Sequence, residues 1–164
     1  MNREPERTVS QSLLDRLTDD SAKGLGDRVM SFSESVRRYK AGVLRDLEWL
    51  LNTRRIYEPL PEGCEELEKS VYYYGLPDTT SLSGDDPAVR RMLQRDITDC
   101  IRRFEPRLTD VEVKLVPATD ERRLLRFTVE AILRMDPDPE RVLFDTMLDP
   151  SNGRVHVASD GHAR

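Results

Sequence analysis

The chain has 164 residues, of which 37% are hydrophobic and 35% charged, and its formal net charge is −5. That length fits one domain with ragged ends, long enough to bury a core without disulfide or metal staples. The charged share exceeds the usual share of roughly a quarter, and the acidic balance excludes nucleic acid as the main ligand, because neutralising phosphates needs a basic field.

The basic residues are nearly all Arg, with lysines only at Lys23, Lys40, Lys69 and Lys114. Arg suits bidentate pairing with carboxylates at interfaces, and the same excess follows from coding bias in a GC-rich genome. Cys64 and Cys100 form no CxxC and no metal spacing. Cys100 falls on a helical core position and is expected as a buried free thiol. MNREPER opens the chain with charge and no apolar run follows it, so no signal peptide is expected. Nothing approaches the roughly 18 apolar residues of a membrane span. The expectation is a reduced, cytoplasmic protein.

Residues 1–30 are polar and broken, and only SLLDRL (12–17) has apolar content. This reads either as a mobile arm carrying a short docking segment or as plain disorder. From Ser33 to Arg54 the period is helical: Val36, Val43, Leu47 and Leu50 recur, and Leu44 and Leu51 widen the stripe. Ser31 or Ser33 is the expected N-cap. Arg37, Arg38, Arg45, Glu48, Asn52 and Arg55 fall on the opposite, wet face. Residues 56–70 form a Pro-containing connection with room for a short helix, Val71–Tyr74 favours an extended form, and Gly75 with Pro77 predicts a turn.

Asp86-Pro87 predicts the start of a second helix, with Asp as N-cap and Pro at the first helical position. Val89, Leu93, Ile97, Cys100, Ile101 and Phe104 share one face, and Pro106 stops the helix. The period then becomes two. Val111, Val113 and Leu115 alternate with polar residues, as do Leu125, Phe127, Val129, Ala131 and Leu133. Val142, Phe144, Thr146 and Leu148 do the same, and after the DPSNG turn RVHV (154–157) returns as a short strand. The predicted fold is α+β, with two main helices packed on a small, mostly antiparallel sheet of three to four strands. Residues 31–157 are expected as a single domain and 158–164 as a frayed tail. Such a sheet has edges, and an edge invites a strand from another chain.

Catalytic chemistry finds little purchase. A glycosidase needs two carboxylates across a cleft, one with a raised pKa; Glu105 and Glu130 are the nominees, but Arg107 beside Glu105 pulls a carboxyl pKa the wrong way for a general acid. The histidines are His156, expected on the wet face of the last strand, and His162 in the tail, with no GxSxG and no Cys–His grouping. GLGD (24–27) lacks the strand and third glycine of a phosphate loop. Glu105-Pro106-Arg107 has two readings. One is a helix stop with a local ion pair worth roughly 0–1 kcal/mol if exposed. The other is a rigid corner from which opposite charges project toward a partner at little ordering cost, with Arg107 offering a two-pronged bond to a carboxylate.

Four stretches occur in order: SLLDRLTDD (12–20), SVRRYKAGVLRDLEWLLNTRR (35–55), SVYYYGLPD (70–78) and IRRFEPRL (101–108). Together they closely resemble the TssE family, the baseplate subunits of bacterial type VI secretion systems, within the tailed-phage baseplate wedge group often labelled lysozyme-like. The resemblance spans about residues 11–148, and the Tyr72–Tyr74 run departs from the small or polar residues usual before Tyr-Gly. It implies a structural, non-enzymatic subunit of a hetero-oligomer, without cofactor, metal or membrane insertion. The implied partners are the wedge subunits TssF, TssG and TssK and the first ring of the contractile sheath, built of TssB and TssC. The implied fold is like the sheath's own handshake module, in which neighbours exchange strands. The family's Glu-Pro-Arg motif falls on Glu105, Pro106 and Arg107 and is implied in sheath and baseplate contacts, with Arg45, Glu48, Trp49, Arg54 and Arg55 as further interface residues. Two other classes compete: a peptidoglycan hydrolase, as the inherited label suggests, and an adaptor that binds its partner transiently.

Overall fold

A computed structural model describes residues 8–18, 31–56, 61–79, 86–116 and 124–159. The chain divides into two units, Met1–Arg45 and Asp46–Arg164.

In the first unit, helix α1 spans Leu13–Leu17. Ser12 caps it, accepting from the Asp15 N–H at 3.1 Å and donating its own hydroxyl to Asp15 Oδ2 at 2.6 Å. This reciprocal arrangement satisfies an otherwise orphaned helix donor. The segment before α1 is tied to Ser35: the Val9 N–H donates to its hydroxyl at 3.1 Å, and the Gln11 side chain donates to its carbonyl at 2.8 Å. The second helix, α2, spans Phe32–Asn52. Ser31 is its cap, accepting from the Glu34 N–H at 3.3 Å. Arg45 of α2 reaches Asp15 of α1 at 2.6 Å, at a point where a side chain on Gly42 would come within 2.9 Å of the same carboxylate. Polar contacts hold α1, and its three leucines, Leu13, Leu14 and Leu17, all face outward.

The buried stripe of α2 runs through Tyr39, Val43, Leu47, Leu50 and Leu51. Its last two turns, from Asp46 on, belong to the second unit, together with helix α3 at Pro87–Phe104 and four strands. Asp86 caps α3 by accepting the Ala88 N–H at 2.7 Å, with Pro87 inside the first turn as predicted. Leu93, Ile97, Cys100 and Ile101 are buried along α3. The strands are β1 (Leu108–Val116), β2 (Leu125–Leu133), β3 (Glu140–Asp149) and β4 (Arg154–Ser159). They form one antiparallel sheet in the order β1-β2-β3-β4, and α3 packs against β1. The fold is therefore α+β, and β2 buries Leu125, Phe127, Val129, Ala131 and Leu133 as the alternation predicted.

Three features depart from the sequence reading. Ala158 and Ser159, expected at the start of a frayed tail, continue β4 and pair with Asp145 and Phe144 of β3, because the ladder begun at Arg154 runs on past Val157. Val71–Tyr73 is a turn of 3₁₀ helix, not an extended segment. The Ser70 hydroxyl accepts the Tyr72 N–H at 3.2 Å and the Ser70 carbonyl accepts the Tyr73 N–H at 3.1 Å, so local bonds outweigh the strand preference of the tyrosines. In β1, both Leu108 and Val111 are buried although three residues apart. A bulge between Thr109 and Glu112, with Asp110 at φ 51°, inserts one residue and restores the inward alternation.

Candidate functional site

Helix α3 ends because Pro106 forbids continuation. Glu105 is the C-cap, its N–H donating to the Ile101 carbonyl at 2.8 Å, and the turn closes when the Leu108 N–H donates to the Glu105 carbonyl at 3.1 Å. The turn points the Glu105 side chain inward, and the residue is 4% exposed. Arg107 meets it side-on: Nε donates to Oε1 at 2.7 Å and Nη2 to Oε2 at 2.5 Å, while the Arg107 backbone N–H adds a third bond to Oε1 at 3.2 Å. Nη2 also donates to Asp46 Oδ2 of α2 at 2.7 Å. The Glu105 hydrogen bonds raise the Arg107 pKa against the opposing effect of its burial, and the Asp46 bond adds to the rise. Arg107 thus joins the end of α3, the start of β1 and the last turns of α2. The two charges of the motif are turned onto each other, and Arg107 is shared with Asp46.

An aromatic wall stands beside this corner. Tyr74 and Phe104 meet edge to face, with ring centroids 5.3 Å apart. Burial raises the Tyr74 pKa, and the nearby Asp46 carboxylate raises it further. The Cys100 thiol donates to the Gly75 carbonyl at 3.4 Å, and burial pushes its pKa from 9.0 up to about 11. Cys100 is buried and Cys64 exposed, so a thiol reagent at about pH 8 is expected to label Cys64 at once and Cys100 only on unfolding. Both Cys100 and Tyr74 hold their protons more tightly folded than unfolded. Their contribution is complete below the unperturbed thiol value of 9.0, and stability falls as pH rises from there. A urea midpoint unchanged between about pH 8 and pH 10.5 would contradict this.

Of the remaining residues singled out from sequence, Glu48 and Arg54 line one pocket with Asn52, Val155 and His156. Arg45 lies in the first unit on Asp15. The Glu48 carboxylate lies 3.4 Å from His156 Nδ1, and Trp49 is 53% exposed. The Arg54 guanidinium donates to the Gly153 carbonyl. Arg55 sits 3.8 Å from Asp96 and lies over the Tyr73 ring. Of the predicted set, Glu105 and Arg107 bond to one another, and their third partner, Asp46, was not among the residues the sequence singled out.

The sheet edges are treated unequally. On β1, outward carbonyls are taken by α3: Gln94 donates to Val113 at 2.5 Å and Arg102 to Val111 at 2.8 Å. On β4, the Asn52 side chain takes both backbone groups of Val155, donating to its carbonyl at 2.7 Å and accepting its N–H at 2.9 Å. N–H and C=O of one strand residue point to the same side, with period two along the strand. The same groups of Val157 and Ser159 therefore also point outward, and among the described residues no side chain takes them. Asn52 and Arg54 thus close the start of the β4 edge, and among the described residues no side chain closes its end.

A helix-backed sheet with a buried charge bracing a backbone corner has the build of a structural domain. Compared with known families, residues 37–138 match baseplate wedge protein gp25, and the chain belongs to that family of structural baseplate subunits. The matched residues run from α2 through β2, and the β3–β4 hairpin lies beyond them. No individually curated protein gave a significant match. Among the described residues, no helix is long and apolar enough to cross a membrane and no group of three or more His, Cys, Asp or Glu is placed to hold a metal ion.

Proposed function

We propose that this baseplate wedge subunit serves a cytoplasmic type VI secretion baseplate, where it joins its wedge neighbours to the first ring of a contractile sheath and starts sheath assembly by pairing with a sheath strand. The observation that carries this reading is the pair of outward main-chain groups at Val157 and Ser159 of β4, which no side chain among the described residues takes. Main-chain bonds along such an edge give affinity and the alternating side chains give register. The exposed Trp49, on α2 one turn from Arg45 and next to Glu48, supplies the aromatic anchor expected of a contact with a wedge neighbour. The corner at Glu105 and Arg107 acts on this assembly by holding α2, α3 and β1 in place.

Ser159→Pro tests the reading. Proline there removes an outward N–H that β3 does not use, a change that edge strands tolerate. Co-expressed with the wedge and sheath subunits and weighed as intact complexes, the wild type is expected to join a wedge and recruit sheath. Ser159→Pro is expected to keep the wedge and lose the sheath. Equal sheath recruitment by both proteins would sink the edge-pairing proposal.

A further inference from the structure

We propose that Asn52 is a register stop, a residue that fixes where an added strand ends on this sheet; the inference rests on the strand-pairing reading above. Two neighbouring residues of an antiparallel pair exchange an N–H and a C=O bond. Asn52 makes the same exchange with Val155 from a side chain: its carbonyl accepts the Val155 N–H at 2.9 Å and its amide N donates to the Val155 carbonyl at 2.7 Å. The same amide N donates to the Glu48 carbonyl at 2.8 Å, which pins the group to its own helix. Asn52 therefore occupies the place of one residue of a fifth strand. Arg54 closes the next step upstream by donating to the Gly153 carbonyl. Pairing is open at Val157 and Ser159 and shut at Val155.

A stop at this point answers a need that side-chain pattern cannot meet. A slip of one residue turns every side chain of the incoming strand to the wrong face and is rejected by burial. A slip of two residues restores the faces, so alternation does not reject it. On this edge the two-residue slip is the one that would carry the strand from Val157 to Val155. There it meets groups already bonded, and it gains nothing without displacing Asn52. The partner that fits is an extended segment whose pairing ends opposite Val157. In an assembly that repeats from ring to ring, a two-residue slip displaces the next subunit by roughly 6–7 Å along the strand.

Residue-resolved amide exchange tests this with the full chain, alone and with the sheath subunits as the added probe. In the free wild type, the Val155 amide is expected to exchange on the order of 100-fold more slowly than those of Val157 and Ser159. In Asn52→Ala, Val155 should join the fast amides. In Asn52→Asp, which keeps the acceptor and loses the donor, it should stay slow. With sheath added, wild-type protection should appear at Val157 and Ser159 alone, with Val155 unchanged. In Asn52→Ala, sheath should protect Val155 as well. Unchanged exchange at Val155 in free Asn52→Ala, or sheath protection confined to Val157 and Ser159 in that variant too, overturns the stop. Sheath that protects no β4 amide in either protein overturns the strand-pairing reading and the stop with it. A stop that fails while Val157 and Ser159 become protected leaves that reading standing.

Discussion

Arg107→Met is expected to cost about 3 kcal/mol of folding stability, and the double variant Glu105→Gln with Arg107→Met less than the sum of the two single changes. The reason lies in what the substitution leaves behind. Glu105 is 4% exposed, and its carboxylate accepts bonds from the Arg107 side chain at 2.5 and 2.7 Å. Without the guanidinium, that charge is buried with one backbone N–H from the same turn for company, at 3.2 Å, and Asp46 loses its bond at 2.7 Å. Removing one partner of a buried ion pair costs about 3–5 kcal/mol, because an uncompensated charge stays behind. The Arg107 side chain keeps 21% of its exposure, so water reaches the cluster and the lower figure applies. Neutralising Glu105 as well removes the stranded charge, hence the non-additivity. Urea unfolding at neutral pH measures both effects. A single variant within about 0.5 kcal/mol of wild type would show that the corner braces nothing.

The same geometry governs how charge reversal at this motif should be read. Arg107→Glu would set a third carboxylate against Glu105 and Asp46, so the variant is expected to lose its fold before it loses a particular contact. A failure of that variant to assemble therefore does not identify Arg107 as a residue the sheath touches. The edge substitution Ser159→Pro, far from the corner in sequence and on a ladder position β3 does not bond, separates docking from folding.

Much of this fold is legible from periodicity because each strand has one dry face: β2 and β3 follow strict alternation and appear where the pattern puts them. Local hydrogen bonding hides what periodicity cannot see. Ser70 converts an aromatic, strand-favouring run into a 3₁₀ turn with two bonds. The bulge at Asp110 is invisible until Leu108 and Val111 are known to share a face. The brace was half legible. Asp46 lies three residues after Val43 and four before Leu50, inside the apolar stripe of α2, and Glu105 lies four residues after Ile101 on the buried face of α3. An acid on a dry helical face demands a buried cation, and Arg107 is the cation two residues beyond the helix stop. What could not be read is Asn52. Its partner is 103 residues away in sequence, and nothing in a wet helix terminus announces that its side chain finishes a sheet. Of the two readings of Glu105-Pro106-Arg107, the local ion pair is the one whose contacts are seen, because the turn at Pro106 also aims the Glu105 side chain at the core.

Gly75→Ala is the second large effect, with an expected loss of about 3 kcal/mol or more. Gly75 has φ 104°, outside the range an L side chain adopts without strain, and a Cβ placed there would stand 2.3 Å from the Thr53 carbonyl oxygen and 2.7 Å from its carbon. Those are backbone atoms, and they cannot swing aside as a side chain would. They are also engaged, since the Leu76 N–H donates to the Thr53 carbonyl and the Arg55 N–H to the Leu76 carbonyl, each at 2.9 Å, forming a parallel bridge at Arg54 and Leu76. Relieving the clash means opening that bridge, which is where the chain leaves α2 just after Asn52. The consequence should therefore reach the β4 edge: the Val155 amide is expected to lose protection in Gly75→Ala even though Asn52 is unchanged. Gly63→Ala is the control. Gly63 also has positive φ, at 80°, but a Cβ there meets nothing within 4 Å. It should cost only the conformational preference of about 1 kcal/mol. The difference between the two variants, read from urea midpoints on the same day, isolates the close approach to Thr53. Equal losses in both would mean that positive φ alone explains the need for glycine, and a protected Val155 in a destabilised Gly75→Ala would separate the α2 exit from the Asn52 stop.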